Sequence, residues 1–313
     1  MSKRCAAIVA ALSVATGLAT AIASQQPRIL NGRLNALPAG SLQQTFKTAV
    51  SAQTEIAWIG YSVPVADRNW GSCCWSSADG TTYMSGSFRD GNTPCCGNCR
   101  IEPAGGPTTT TRQTPTPATT PAGPVKLEGA ERMVVMFRVA DRQVERIRSY
   151  SEDCELDAGG RSVTWLQDVQ PAESVALLES LISVNVDRGN RVAKGALSAM
   201  AMHAEPSATE VLIRAARSHQ DAGVRSEALF WVGQKAGRKA AGTITEAIEK
   251  DPETEVKKRA VFALSQLPPS EGVPLLIDIA RKNPNPVVRK QAIFWLGQSK
   301  DPRALEFFAE ILK

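Results

Sequence analysis

The sequence predicts an α+β multidomain chain: a small, disulfide-rich, mostly β module followed by an all-α solenoid. Three observations carry that prediction. Six of the seven cysteines fall between residues 73 and 154. Runs of β-branched and aromatic residues fill the same part of the chain, and helical periodicity replaces them after Pro171. Finally, one phrase recurs at 32-residue steps: VRSEALFWVGQ starts at Val224, VKKRAVFALSQ at Val256 and VRKQAIFWLGQ at Val288, with a weaker VAKGALSAMAM at Val192. A length of 313 residues leaves room for two domains.

The first residues read as a targeting segment. Lys3 and Arg4 precede an uncharged apolar run over 5–22, and Ala21-Ile22-Ala23 supplies small residues for a peptidase, so 1–23 is expected to be a signal peptide and Ser24 the mature start. The competing reading is an uncleaved anchor, but the run is short for a span. Cys5 lacks the upstream apolar residues of a lipoprotein signal. No later segment is long and apolar enough to cross a bilayer, so the mature chain is expected in the periplasm or secreted, without membrane insertion. Its formal charge of +5 falls to +3 without Lys3 and Arg4, and no basic cluster stands apart from acids. Nucleic acid is disfavoured as a partner.

Residues 24–52 are weakly patterned, with one helical stretch near 42–52. A mostly β, Cys-rich module is expected over 53–165, built on IAWIGYSVPV (56–65) and TTYMSGSF (81–88). The stretch 103–124 is nearly all Pro, Thr, Gly and Ala and reads as a linker or loop. RMVVMFRV (132–139), a turn at Ala140-Asp141-Arg142 and QVERIRSYS (143–151) form a hairpin. Val144, Ile147 and Tyr150 break strict alternation, which suggests a bulge. In an exported chain the even set Cys73, Cys74, Cys95, Cys96, Cys99 and Cys154 reads as disulfides, with Cys154 tying the hairpin to the 73–99 segment. Fifteen pairings are open. The alternative is a zinc site from Cys96 and Cys99 with Cys73 or Cys74.

From 171 to 313 the columns are regular. Val192, Val224, Val256 and Val288 share a position, as do Ala196, Ala228, Ala260 and Ala292, and Met200, Val232, Leu264 and Leu296. Steps of four place all three columns on one helix face. A second helix follows each first one, through Leu212, Ile244, Leu276 and Phe308. Asp221, Glu253 and Asn285 stand three residues before the Val column as candidate N-caps. PAESVALLESL (171–181) parallels PSEGVPLLIDI (269–279), so the array opens on an unpaired second helix. One unit cannot cover its own apolar face, so neighbours must stack, and the fragment 170–313 is expected to fold by itself.

The pattern Val-Arg-x-x-Ala-x-x-x-Leu-Gly followed by a second helix resembles bacterial HEAT-like repeats of the short variety also found in phycobilin lyases. SEDCELDAGG…TWL (151–166) is similar to the junction ahead of the repeats in exported bacterial HEAT-repeat proteins. The resemblance implies a HEAT-like α-solenoid of about four and a half helix pairs.

Chemistry finds little footing. A di-iron hydroxylase of this architecture needs His-Glu pairs, and the chain has only His203 and His219, neither followed by Glu. Phycobilin lyases work inside the cell, against the signal segment. No nucleophile motif accompanies either histidine, and both are expected at exposed helix ends. Asp153, Glu155 and Asp157 alternate like a calcium loop but lack its Gly and Glu positions, and read as a solvated turn before Gly159-Gly160. Two ladders remain as partner-binding candidates: Phe230, Phe262 and Phe294, with Trp231 and Trp295 beside them, and Arg225, Lys257 and Arg289. Each has a competing reading, the aromatics as packing between repeats and the cations as partners of Asp221, Glu253 and Asn285. The sequence thus predicts a non-catalytic, monomeric scaffold or adaptor outside the cytoplasm, without cofactor or metal, binding a protein partner. The alternatives are an enzyme or metal-binding protein with its site in the Cys-rich module, or a periplasmic sensor component.

Overall fold

The computed structural model describes residues 26–67, 72–76, 82–86, 99–102, 131–152, 154–183, 190–235 and 238–312, with only the backbone described over 72–76, 82–86, 99–100 and 238–239. The predicted signal peptide, the 103–124 stretch, Cys95, Cys96 and Asp153 lie outside the described residues. In chain order the elements begin with β1 (Arg28–Leu30), β2 (Arg33–Pro38), α1 (Leu42–Ser51) and β3 (Ala57–Pro64). β4 (Ser72–Ser76), β5 (Thr82–Gly86), β6 (Cys99–Arg100), β7 (Arg132–Ala140), β8 (Gln143–Ser151), β9 (Glu155–Asp157) and β10 (Ser162–Gln167) follow. The helices are then α2 (Pro171–Ile182), α3 (Arg191–Met202), α4 (Ser207–Ser218), α5 (Ala222–Lys235) and α6 (Arg238–Lys250). The chain closes with α7 (Thr254–Ser265), α8 (Pro269–Lys282), α9 (Pro286–Gln298) and α10 (Pro302–Ile311).

A five-stranded mixed sheet of order β2-β10-β3-β7-β8 forms the centre of the N-terminal part. β2, β10 and β3 run parallel, while β3, β7 and β8 are antiparallel. The β7–β8 hairpin turns on Asp141 and Arg142, both at positive φ (49° and 61°), the pair that a type I′ turn requires. The register shifts after Arg138, which pairs with Arg146, whereas Val139 pairs with Val144. Glu145 is the extra residue. This bulge is why Val144 and Ile147, three apart, share one face, and why the alternation looked broken.

Both faces of the sheet are covered, so β3 is buried along almost its whole length. One face places Trp58, Val134, Met136, Val163 and Trp165 against Leu156 of a second, three-stranded parallel sheet of order β1-β9-β6 and against Ala158 just after its central strand. On the other, Ile59, Tyr61, Val63, Val135, Phe137 and Ile147 pack against α1, α2 and α3. That cluster continues without a break through the helices to Phe307. A Cβ on Gly195 would stand 2.5 Å from the Ile147 carbonyl, so only glycine lets α3 lie this close to β8.

Two expectations are corrected here. The segment 24–52 is not weakly structured: β1 pairs with β9 and β2 with β10, each more than a hundred residues away, so the β part starts at Arg28. The acids near 155 do not make a solvated turn. Glu155–Asp157 is the central strand β9, and Asp157 is buried, with its Oδ1 accepting from the Gly159 N–H at 2.9 Å.

The helical part is a regular array. α3, α5, α7 and α9 are the first helices, α4, α6, α8 and α10 the second, and α2 is the unpaired opening one. Every residue of the Val, Ala and Met/Val/Leu columns is buried. Asp221 and Asn285 cap as expected, accepting from the N–H groups of Val224 and Val287 at 2.9 Å. Glu253 does not cap with its side chain. One turn device went unnoticed in the sequence: at five of the helix connections His203, His219, Asp251, Asn283 and Ser299 each accept the N–H two residues on. Among the described residues no helix is long and apolar enough to cross a membrane.

Candidate functional site

The 32-residue step puts Phe230 on α5, Phe262 on α7 and Phe294 on α9, and the structure joins them into one aromatic strip. Phe230 and Phe262 stack with parallel planes at 6.0 Å. Trp231 meets Phe230 at 4.8 Å, Trp295 meets Phe262 at 4.9 Å, and Phe294 meets Trp295 at 5.0 Å. Arg259 holds its guanidinium 5.0 Å from both the Phe230 and the Phe262 ring, a cation–π contact worth about 0.5–1 kcal/mol when exposed. Trp231 donates its indole N–H to Glu227 at 3.0 Å. Unlike the core columns, the strip is only half-buried, and Phe294 is 54% exposed. A groove of about 270 Å³ opens beside Trp295, lined also by Leu264, Leu267, Leu276 and Gln298. Phe230 and Phe262 therefore pack between repeats along the strip's own length, while its outer edge and its Phe294 end face solvent.

The cationic ladder has an internal role, and it does not pair with Asp221, Glu253 and Asn285. Arg225, Lys257 and Arg289 each reach back to carbonyls at the end of the preceding second helix. Arg225 donates to the carbonyls of His219 (2.8 Å) and Gln220 (2.9 Å), Lys257 to Glu249 (2.9 Å), and Arg289 to Asn283 (2.7 Å). Helix C-termini leave such carbonyls unpaired and carry partial negative charge, so a cation there is favourable. Arg225 goes further and makes a bidentate pair with Asp251 at 2.7 and 3.0 Å, with side-chain exposures of 9% and 5%. Its pKa rises, chiefly through the hydrogen bond to Asp251. A guanidinium committed to four acceptors inside the array is not presented to a partner.

His203 departs furthest from expectation. It is fully buried, at the end of α3, because the sheet covers the helix end that an isolated array would expose. Its Nδ1 accepts the Glu205 N–H at 3.1 Å, which leaves the proton on Nε2, 3.2 Å from Ser174 Oγ. Ser174 in turn donates to the Tyr61 hydroxyl at 2.9 Å. β3, α2 and α3 are thus tied by one polar chain. Burial, with a smaller push from the Lys235 ammonium, lowers the His203 pKa to about 4. Lys235 itself, drawn in to donate to the carbonyls of Met200 and His203, is lowered to about 8 by burial. A serine beside an imidazole invites comparison with acyl-transfer sites, but all three groups are sealed from solvent and no carboxylate among the described residues orients the ring. The cluster is a latch.

Cys73 and Cys74 lie on β4 and Cys99 on β6, whose neighbour β9 follows Cys154. Cys154 is buried and disulfide-bonded. No group of residues suited to holding a metal occurs among the described residues.

Residues 242–313 match a family described as HEAT repeats. Among solved structures the chain is similar to human deoxyhypusine hydroxylase in complex with glycerol, at 18% identity and a TM-score of 0.33, over 44% of this chain and 43% of that one. It is also similar to the complex of CpcE and CpcF of phycocyanin lyase from Nostoc sp. PCC7120, at 17% identity and a TM-score of 0.35, over 45% and 89%. A third likeness is to the YibA protein of Escherichia coli, at 21% identity and a TM-score of 0.33, over 45% and 54%. The chain thus spans less than half the length of the hydroxylase. No curated protein matches it significantly.

Proposed function

We propose that this chain is a non-catalytic scaffold or adaptor that works outside the cytoplasm and grips a protein partner along the aromatic strip of its HEAT-like solenoid. The observation that carries this reading is the contrast between columns: Val, Ala and Leu positions are sealed, whereas the Phe and Trp positions of α5, α7 and α9 stay half-open. Aromatic anchors rimmed by Arg259 and Glu227 have the composition of binding hot spots. Export is supported by Lys3-Arg4 with the apolar run, and by the disulfide at Cys154, which belongs to an oxidising compartment. The same disulfide weighs against a thiolate metal site in the β part. Further disulfides among Cys73, Cys74, Cys95, Cys96 and Cys99 belong to this reading.

The test is affinity capture from a periplasmic extract with the mature chain and with Phe294→Glu. Phe294 is the most exposed ring of the strip, so the change leaves the fold intact and is expected to abolish partner retention. Equal retention by both proteins, or a stoichiometric metal in the purified chain, would overturn the proposal.

A further inference from the structure

A second surface, on the β part and away from the aromatic strip, gathers three arginines that the described acids do not all balance. On β7 and β8 the residues Arg138, Arg146 and Arg148 fall on the sheet face that also holds Met136 and Tyr150. Arg138 and Arg146 are direct cross-strand partners, and Arg148 stands opposite Met136. Like charges directly opposite each other destabilise a sheet. Arg138 is neutralised: it pairs with the buried Glu102 at 2.5 Å and with Glu145, the bulge residue. Arg146 and Arg148 are half-buried, and neither forms an ion pair among the described residues. Arg191, at the start of α3 on the other side of the sheet, is engaged with a partner of its own and still adds like charge near Arg146. Of the described carboxylates, Glu102 and Glu145 are both turned to Arg138.

We propose that this face of the β7–β8 hairpin is an oxyanion site, in which Arg146 and Arg148 hold a phosphate-type group and the Arg138–Glu102 pair fixes the strand behind them. Guanidinium forks match tetrahedral oxyanions bidentately, and they stay charged when partly desolvated. The Arg146 charge is disfavoured by burial first and then by Arg148, Arg191 and Arg138, and Glu102 only partly offsets this. The bulge serves the site as well. By inserting Glu145 it sets Arg146 opposite Arg138 and gives Arg138 a second carboxylate, while Arg148, which also faces the Tyr150 hydroxyl, follows on the same side by ordinary strand alternation.

Thermal unfolding of the full mature chain in phosphate-free buffer, then with increasing inorganic phosphate at constant ionic strength, tests this. The melting temperature is expected to rise saturably with phosphate and not with chloride. Arg146→Gln is expected to melt higher than the wild type without phosphate, because it removes like-charge repulsion. It is also expected to weaken phosphate binding by roughly tenfold or more. Arg148→Gln provides a second variant with the same expected loss of binding. Glycerol phosphate is the third arm: tighter binding than inorganic phosphate assigns the group to a phosphomonoester carried by a larger molecule, and weaker binding assigns it to the free ion. No saturable effect of either compound, or an unchanged response in both variants, would overturn the site.

Discussion

Protonating His203 breaks the bond on which its place depends. The Glu205 N–H points at Nδ1, and an imidazolium would set donor against donor there. The folded pKa of about 4 lies below the ordinary 6.5, so the unfolded chain binds the extra proton first as pH falls. Stability contributed by neutral His203 is therefore complete above about pH 6.5 and is lost progressively between 6.5 and about 4. A gap of that width, at 1.36 kcal/mol per pH unit, amounts to about 3 kcal/mol. The perturbation is His203→Asn. Asn283 and Asp251 show that a short side chain accepts the same N–H two residues on, so the turn survives without a group that titrates in this range. The variant loses the Ser174 contact and is expected to be about 1–2 kcal/mol less stable at pH 7.5. By pH 4.5 it should equal or exceed the wild type. Urea denaturation of both proteins at several pH values between 4.5 and 7.5 gives the difference, in which the carboxylates common to both cancel. Parallel stability–pH curves would refute the argument, and with it the sealed neutral imidazole.

Three other outcomes follow from the packing. Asp251→Ala leaves the Arg225 guanidinium buried without its carboxylate and is expected to cost about 3–5 kcal/mol, whereas Arg225→Met with Asp251→Leu should recover most of it; a loss under about 1 kcal/mol for Asp251→Ala would mean the pair is solvated. Phe262→Ala, which removes contacts to Phe230, Arg259 and Trp295, should cost about 2 kcal/mol, and Phe294→Ala under about 0.5 kcal/mol, both by chemical denaturation. Equal losses would remove the distinction between the packed and open parts of the strip. The fragment 170–313 should be helical by circular dichroism but bind a hydrophobic dye and melt below the full chain, since α2 and α3 lose the sheet that covers them. Melting at the full-chain temperature would show the sheet to be dispensable.

The sequence alone determined the array. Each helix pair is a local unit whose neighbours come next in the chain, so Val224, Ala228 and Val232 predict their own burial, and the same letters return 32 residues later. The hairpin was legible for the same reason, as its partners adjoin. What the tertiary structure decided involves groups that are far apart in sequence. The pairings of β1 with β9 and β2 with β10 leave no local period, so residues 28–38 looked patternless. The burial of His203 depends on β3 and α2 covering the end of α3, and a helix-end histidine carries no mark of what will be laid over it. In the ladders, recurrence was visible but direction was not. Arg225, Lys257 and Arg289 had acceptors closer than any partner, in the carbonyls of the helix before, and backbone acceptors have no letter in the sequence. Phe230, Phe262 and Phe294 share one column and differ in exposure, because what covers a repeated position is set by its neighbours in space: Phe230 and Phe262 cover each other and share Arg259, whereas Phe294 meets Trp295.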